Sequence, residues 1–158
     1  MHKINLTAVP VEEEKSPKGR FHSFGQDISQ AMRQNNGGRG KPNLWPFEVE
    51  LVRLPPRAVN WPYHSHSAQW EFYMIVAGRG KLRTESGTVE LREGDCVSHG
   101  PGEPHQIINS GATDLLYYVI ANNVQSDVCH YPDSGKWSLP DEGKTVRVEP
   151  ASYYDGEE

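Results

Sequence analysis

Apolar and polar residues alternate along residues 47–54, with Phe47, Val49 and Leu51 on one face and Glu48 and Glu50 on the other. A period of two predicts a β-strand. Residues 71–77 form a second candidate, and residues 81–84, 88–92, 96–98, 105–109 and 115–121 continue the series. Arg79-Gly80 and Glu85-Ser86-Gly87 read as turns between them. Short strands separated by Gly-rich turns predict an all-β barrel or sandwich.

The flanks differ in pattern. Residues 1–44 are polar and broken by Pro10, Pro17 and Pro42, with one short helix expected over residues 28–34. Asp27 would cap it, because a carboxylate accepts backbone N–H groups at a helix start. Gly37-Gly38-Arg39-Gly40 would end it as a loop. Residues 122–158 read as mostly irregular, with a turn at Tyr131-Pro132-Asp133-Ser134-Gly135 and one late strand over residues 145–148. The expected organisation is an N-terminal arm (1–44), a barrel (45–121) and a C-terminal extension packed on it (122–158).

Composition narrows the function classes. The 158 residues suit one domain. Gly (15) and Pro (12) are abundant while hydrophobic residues make up 35%, which favours turns over long helices. A net charge of −5 without a basic cluster argues against nucleic acid and anionic membrane surfaces as partners. No apolar run reaches membrane-spanning length, and the first residues lack a signal-peptide pattern, so the expectation is a cytoplasmic chain. Cys96 and Cys129 make no disulfide framework and read as free thiols, Cys96 packed in its strand.

The candidate chemistry lies in His64-Ser65-His66. Residues two apart on a strand share a face, so both imidazoles can reach one point. Glu71 follows at an odd offset and joins them only if the chain bends at Ser67-Ala68. His105 follows the turn at residues 100–104. Three imidazoles and a carboxylate suit iron, manganese, nickel, zinc or copper.

The run His64-x-His66, four residues, Glu71, six residues, Gly78 resembles the first cupin motif. The run Gly94, seven residues, Gly102, two residues, His105, three residues, Asn109 resembles the second, and 15 residues separate the two. Ala58 stands where the first motif opens with Gly, and Gly100 where the second carries Pro. The resemblance implies a double-stranded β-helix, the cupin jelly-roll barrel, with one divalent metal inside on His64, His66, Glu71 and His105. It also implies a homodimer. The segment 127–137 resembles a tail of some small bacterial cupins.

Strand parity from the ligands makes Tyr73 and Ile107 pocket-lining candidates, joined by Gln69 beside Glu71. Either Tyr117 or Tyr118 looks inward, and Tyr118 is taken as the lining residue. His99 reads as a solvated turn residue and His22 as exposed. Cys129-His130 is a Cys-His pair that no second pair completes as a metal site. The expected function is that of a metal-dependent enzyme on a small organic molecule, an oxygenase, isomerase or lyase. A non-catalytic ligand-binding module is the alternative. A sugar-phosphate isomerase is weaker, because Arg79, Lys81 and Arg83 read as a solvated hairpin and make no phosphate cradle.

Overall fold

The computed structural model describes residues 3–34, 45–124, 126–139 and 143–157. The expected Gly37–Gly40 loop lies outside them. The chain is nearly all β. Strands β1 (Glu12–Lys15) and β2 (His22–Asp27) lead into helix α1 (Ile28–Gln34). Then follow β3 (Phe47–Leu54), β4 (Ser65–His66), β5 (Glu71–Ala77), β6 (Arg79–Thr84), β7 (Gly87–Arg92), β8 (Cys96–His99), β9 (His105–Ile108) and β10 (Leu115–Asn122). The tail contributes β11 (Cys129–Tyr131), β12 (Lys136–Leu139) and β13 (Lys144–Arg147).

The helix occupies the expected residues, and Gln30 N–H donates to Asp27 Oδ1 at 2.7 Å. Both flanks also carry strands that residue pattern alone did not predict, β1, β2, β11 and β12, while β13 falls where the late strand over 145–148 was expected. β1 and β2 extend a six-stranded sheet in the order β1-β2-β3-β10-β5-β8. β4 and the tail form a four-stranded sheet, β13-β12-β11-β4, and β7-β6-β9 form a third. All named pairings are antiparallel, as in a double-stranded β-helix. These flanking strands are short and polar; they pair with one another as local hairpins, and the β2–β3 and β11–β4 pairings tie them to the barrel.

The core sits between the sheets: Val52 and Leu54 from β3, Tyr73 and Ile75 from β5, Leu82 and Leu91 from β6 and β7, Ile107 from β9, and Leu115, Tyr117 and Val119 from β10. These inward residues occupy alternate positions, the pattern that burying one sheet face requires. One parity differs from the sequence reading, and a second is one that reading left open. On β10 the inward phenol is Tyr117, with no exposure, and Tyr118 alternates to the outer face. On β3 the inward row runs Glu48, Glu50, Val52, Leu54. Glu50 pairs with Val119 and Glu48 with Ala121, both on the buried face of β10. Paired residues share a face, so the two acids point into the barrel and Val49 and Leu51 point away. The same inner face is apolar at the closed end and acidic at the mouth, so alternation locates the strand while misleading about which side is buried.

Candidate metal centre

The four proposed ligands converge. His64 and His105 pair across a backbone bridge, with His64 N–H donating to His105 O at 3.2 Å and His105 N–H to His64 O at 2.8 Å. This sets their rings 4.7 Å apart between centroids, with the His66 ring 5.1 Å from His64. Glu71 opens β5, and its Oε2 lies 2.7 Å from His105 Nε2, 3.4 Å from His66 Nε2 and 3.8 Å from His64 Nε2. Donor atoms that each sit about 2.1 Å from one ion stand roughly 3–3.5 Å apart.

The bend required at Ser67-Ala68 is present, and Asp127 holds it. Oδ1 of Asp127 accepts N–H bonds from Ala68 at 2.8 Å and Gln69 at 3.0 Å. Its Oδ2 lies 2.5 Å from His66 Nδ1. One carboxylate thus both re-aims Glu71 and orients the His66 ring. Sequence reading missed this role, since the only signal was the tail resemblance.

Backbone carbonyls orient the other two rings. His64 Nδ1–H donates to Pro62 O at 2.8 Å, and His105 Nδ1–H donates to Glu103 O at 3.0 Å. A carbonyl can only accept, so each Nε2 keeps its lone pair and turns it inward. The Tyr73 hydroxyl donates to His105 Nε2 at 3.1 Å. Glu71 Oε2, though 2.7 Å from that nitrogen, has no properly directed hydrogen bond and is buried. A carboxylate facing imidazole lone pairs is repulsive unless a proton or a metal cation lies between them, and three imidazoles with one carboxylate suit a divalent ion.

Protonation of His66 relieves part of that repulsion. Burial, then the His105 ring, pushes His64 down to about 4, so it is neutral at pH 7. Burial would also lower His66, but its contacts with Cys129, Glu71 and Asp127 outweigh that and raise it to about 11. Burial would raise Glu71, yet the flanking His105 and His66 rings hold it well below the usual carboxylate range. Asp127 is also lowered: burial opposes this, and His66 with the two backbone N–H groups overcomes it.

His99 corrects the sequence reading: it is buried, pairs with Glu71 across β5 and β8, and stacks on His105 with centroids 4.0 Å apart at 4°. Burial pushes it down to about 4. Cys96 is exposed, not packed. Cys129 does not work with His130, which stacks on Trp137 at 4.3 Å, but faces His66. His22 bonds Glu13 at 2.8 Å.

A cavity of about 270 Å³ opens on Glu71, lined by Glu48, Glu50, Trp61, Gln69 and Val119 among others. Tyr73 and Ile107 lie deeper, at 1% and 3% exposure. Gly25 leaves the room that the Glu50 carboxylate fills. Burial, then Asp27, Glu14 and Glu12, raises Glu50 from 4.5 to about 7. The folded chain therefore retains this proton between the two values, where the unfolded chain has lost it. Stability from this group is present below about pH 4.5 and is lost as pH rises through about 7. Glu50→Gln is expected to exceed the parent stability by up to about 3 kcal/mol at pH 8 and to match it at pH 4. Denaturant unfolding of the metal-free proteins at both pH values checks this.

Residues 50–121 match the cupin domain family. With the fold described above, this makes residues 50–121 a cupin domain. It is 32% identical over 69 residues to an oxalate-binding protein of Thermotoga maritima, covering 44% of this chain and 56% of that relative. The matches to the curated relatives span about half their length, 56% and 42%. Among solved structures, a sugar phosphate isomerase from a cupin superfamily of Silicibacter pomeroyi superposes with a TM-score of 0.76 at 23% identity, covering 96% of this chain and 97% of that one. That similarity establishes the shared fold.

Proposed function

We propose that His64, His66, Glu71 and His105 hold one divalent transition metal, iron, manganese, nickel, zinc or copper, and that the chain is a metal-dependent enzyme acting on a small organic molecule. The observation that carries this reading is Glu71 Oε2, buried without a directed hydrogen bond amid three Nε2 atoms. Bound there, such an ion supplies a Lewis acid and lowers the pKa of coordinated water. The chain supplies the rest. Glu50, with its pKa near neutrality, can take or return a proton at the cavity wall. Gln69 offers an amide to a ligand at the rim. Tyr73 offers a buried hydroxyl beside His105.

The acidic mouth favours a neutral ligand over a phosphate ester. The cavity's cation, Arg33, is occupied by both oxygens of Glu48 at 2.6 and 2.7 Å. Arg83 is tied to Asp133 at 2.7 and 2.8 Å, and Lys81 to Glu90 at 3.2 Å. This weighs against the sugar-phosphate reading that the neighbour's name suggests. The test is turnover of a panel of acids, sugars and phenols by protein loaded with each metal, with and without O₂. Metal-dependent product formation supports the enzyme. Ligand-induced stabilisation without turnover replaces it with a non-catalytic binding module.

Phe72, Met74, Val76 and Ile120 are exposed on the outer face of the large sheet and support a homodimer, which sedimentation at micromolar concentration tests.

Asp127→Asn is expected to weaken metal binding about 10–100-fold, the usual cost of losing a partner behind a ligand histidine. Competition against a chelator reads it, with melting checked in parallel.

A further inference from the structure

We propose that His66, Asp127 and Cys129 form a second metal site, selective for thiophilic ions such as Zn²⁺, Cd²⁺ or Cu⁺, and that it shares His66 with the first. The adjacent pair Cys129-His130 points to no such site, because the histidine that matters comes from another strand. β11 pairs with β4 so that Cys129 lies directly opposite His66. Opposed residues project from the same side of a sheet with Cβ atoms about 5 Å apart. The sulfur accordingly lies 3.4 Å from His66 Nδ1 and 3.9 Å from Nε2. Asp127 is two residues before Cys129 and brings Oδ2 to 2.5 Å from the same Nδ1. One nitrogen, one oxygen and one sulfur donor therefore lie within 4.8 Å of one another.

The donor types set the preference. Thiolate and imidazole select zinc and softer ions, whereas the three-histidine, one-carboxylate set has no sulfur and accepts harder ions. The Sγ to Nδ1 separation already suits two ligands of one ion. Asp127 Oδ2 has to withdraw by less than about 1 Å, since donors on one ion stand roughly 3–3.5 Å apart. Its Oδ1 can keep the Ala68 and Gln69 bonds meanwhile. Cys129 is only half-buried, which gives an ion a route in.

Sharing has a consequence that rests on the metal reading above. An ion on Nδ1 takes the position of the proton that Asp127 now accepts. The displaced proton moves to Nε2, and the ring then leaves the first site. A thiophilic ion thus weakens the first site without occupying it.

The test uses metal-free protein carrying Cys96→Ser, which leaves Cys129 as its thiol, titrated with Cd²⁺. The expected result is a thiolate-to-cadmium charge-transfer band saturating near one equivalent. It should vanish with Cys129→Ser, weaken at least about 10-fold in affinity with His66→Ala, and persist with Glu71→Gln or with His64→Ala and His105→Ala. Cd²⁺ should also release Mn²⁺ at lower concentration from the Cys96→Ser protein than from the double Ser variant. No band, a band indifferent to His66→Ala, or a band lost with Glu71→Gln overturns the proposal. Failure of Mn²⁺ to bind any variant while the band persists counts against the first site and leaves this one standing.

Discussion

His105→Ala is expected to lower divalent-metal affinity by more than about 100-fold, beyond the 10–100-fold typical of losing an outer partner. Its Nε2 is the imidazole nitrogen nearest Glu71 Oε2, at 2.7 Å, so its loss removes a donor where the cluster is tightest. The fold should survive, because the bridge between His64 and His105 is made by backbone groups that alanine keeps. In the metal-free protein the variant also leaves the Tyr73 hydroxyl without its acceptor, in a residue 1% exposed, which adds a stability cost of about 1–3 kcal/mol. Chelator competition measures affinity, and circular dichroism confirms the β-barrel. An affinity within a factor of about three of the parent would remove His105 from the ligand set.

Gly78→Ala is expected to destabilise the chain by about 3 kcal/mol or more, lowering the melting temperature by roughly 10 °C. Gly78 joins β5 to β6 at φ +88°, a left-handed conformation that side chains resist. A Cβ there would also run into the Asp114 carbonyl oxygen and crowd the Leu115 Cα, both backbone atoms of the adjoining chain. Neither can yield as a flexible side chain would. Gly94→Ala is the comparison, since its φ of +87° matches that of Gly78 but nothing lies within 4 Å of the added methyl. The difference between the two variants isolates the contact from the dihedral strain, and equal melting shifts would refute the crowding argument.

The proposed ligands were legible because they lie in two short local patterns. His64 and His66 share parity on one strand, and His105 follows a Gly-Pro turn. The bend at Ser67-Ala68 could be required from sequence but not explained. Its cause, Asp127, is 59 residues from Ala68 and reaches it only through the β4–β11 pairing. His99 was missed for a similar reason. It looks like a turn residue until β8 is paired to β5, which sets it opposite Glu71. The inner face of β3 was the hardest to read. A strand that lines a cavity at one end and a core at the other carries Glu48 and Glu50 inward beside Val52 and Leu54. Apolar burial rules apply to the core half alone. The helix over Ile28–Gln34 was readable because its cap is local to Asp27.

The most direct measurement of the central claim is the metal content of protein purified without added metal, parent against His64→Ala with His105→Ala, by elemental mass spectrometry. The account predicts close to one equivalent of a divalent transition metal in the parent and a small fraction of that in the double variant. A metal-free parent that also fails to take up Fe²⁺, Mn²⁺, Ni²⁺, Zn²⁺ or Cu²⁺, or equal content in the two proteins, would contradict it.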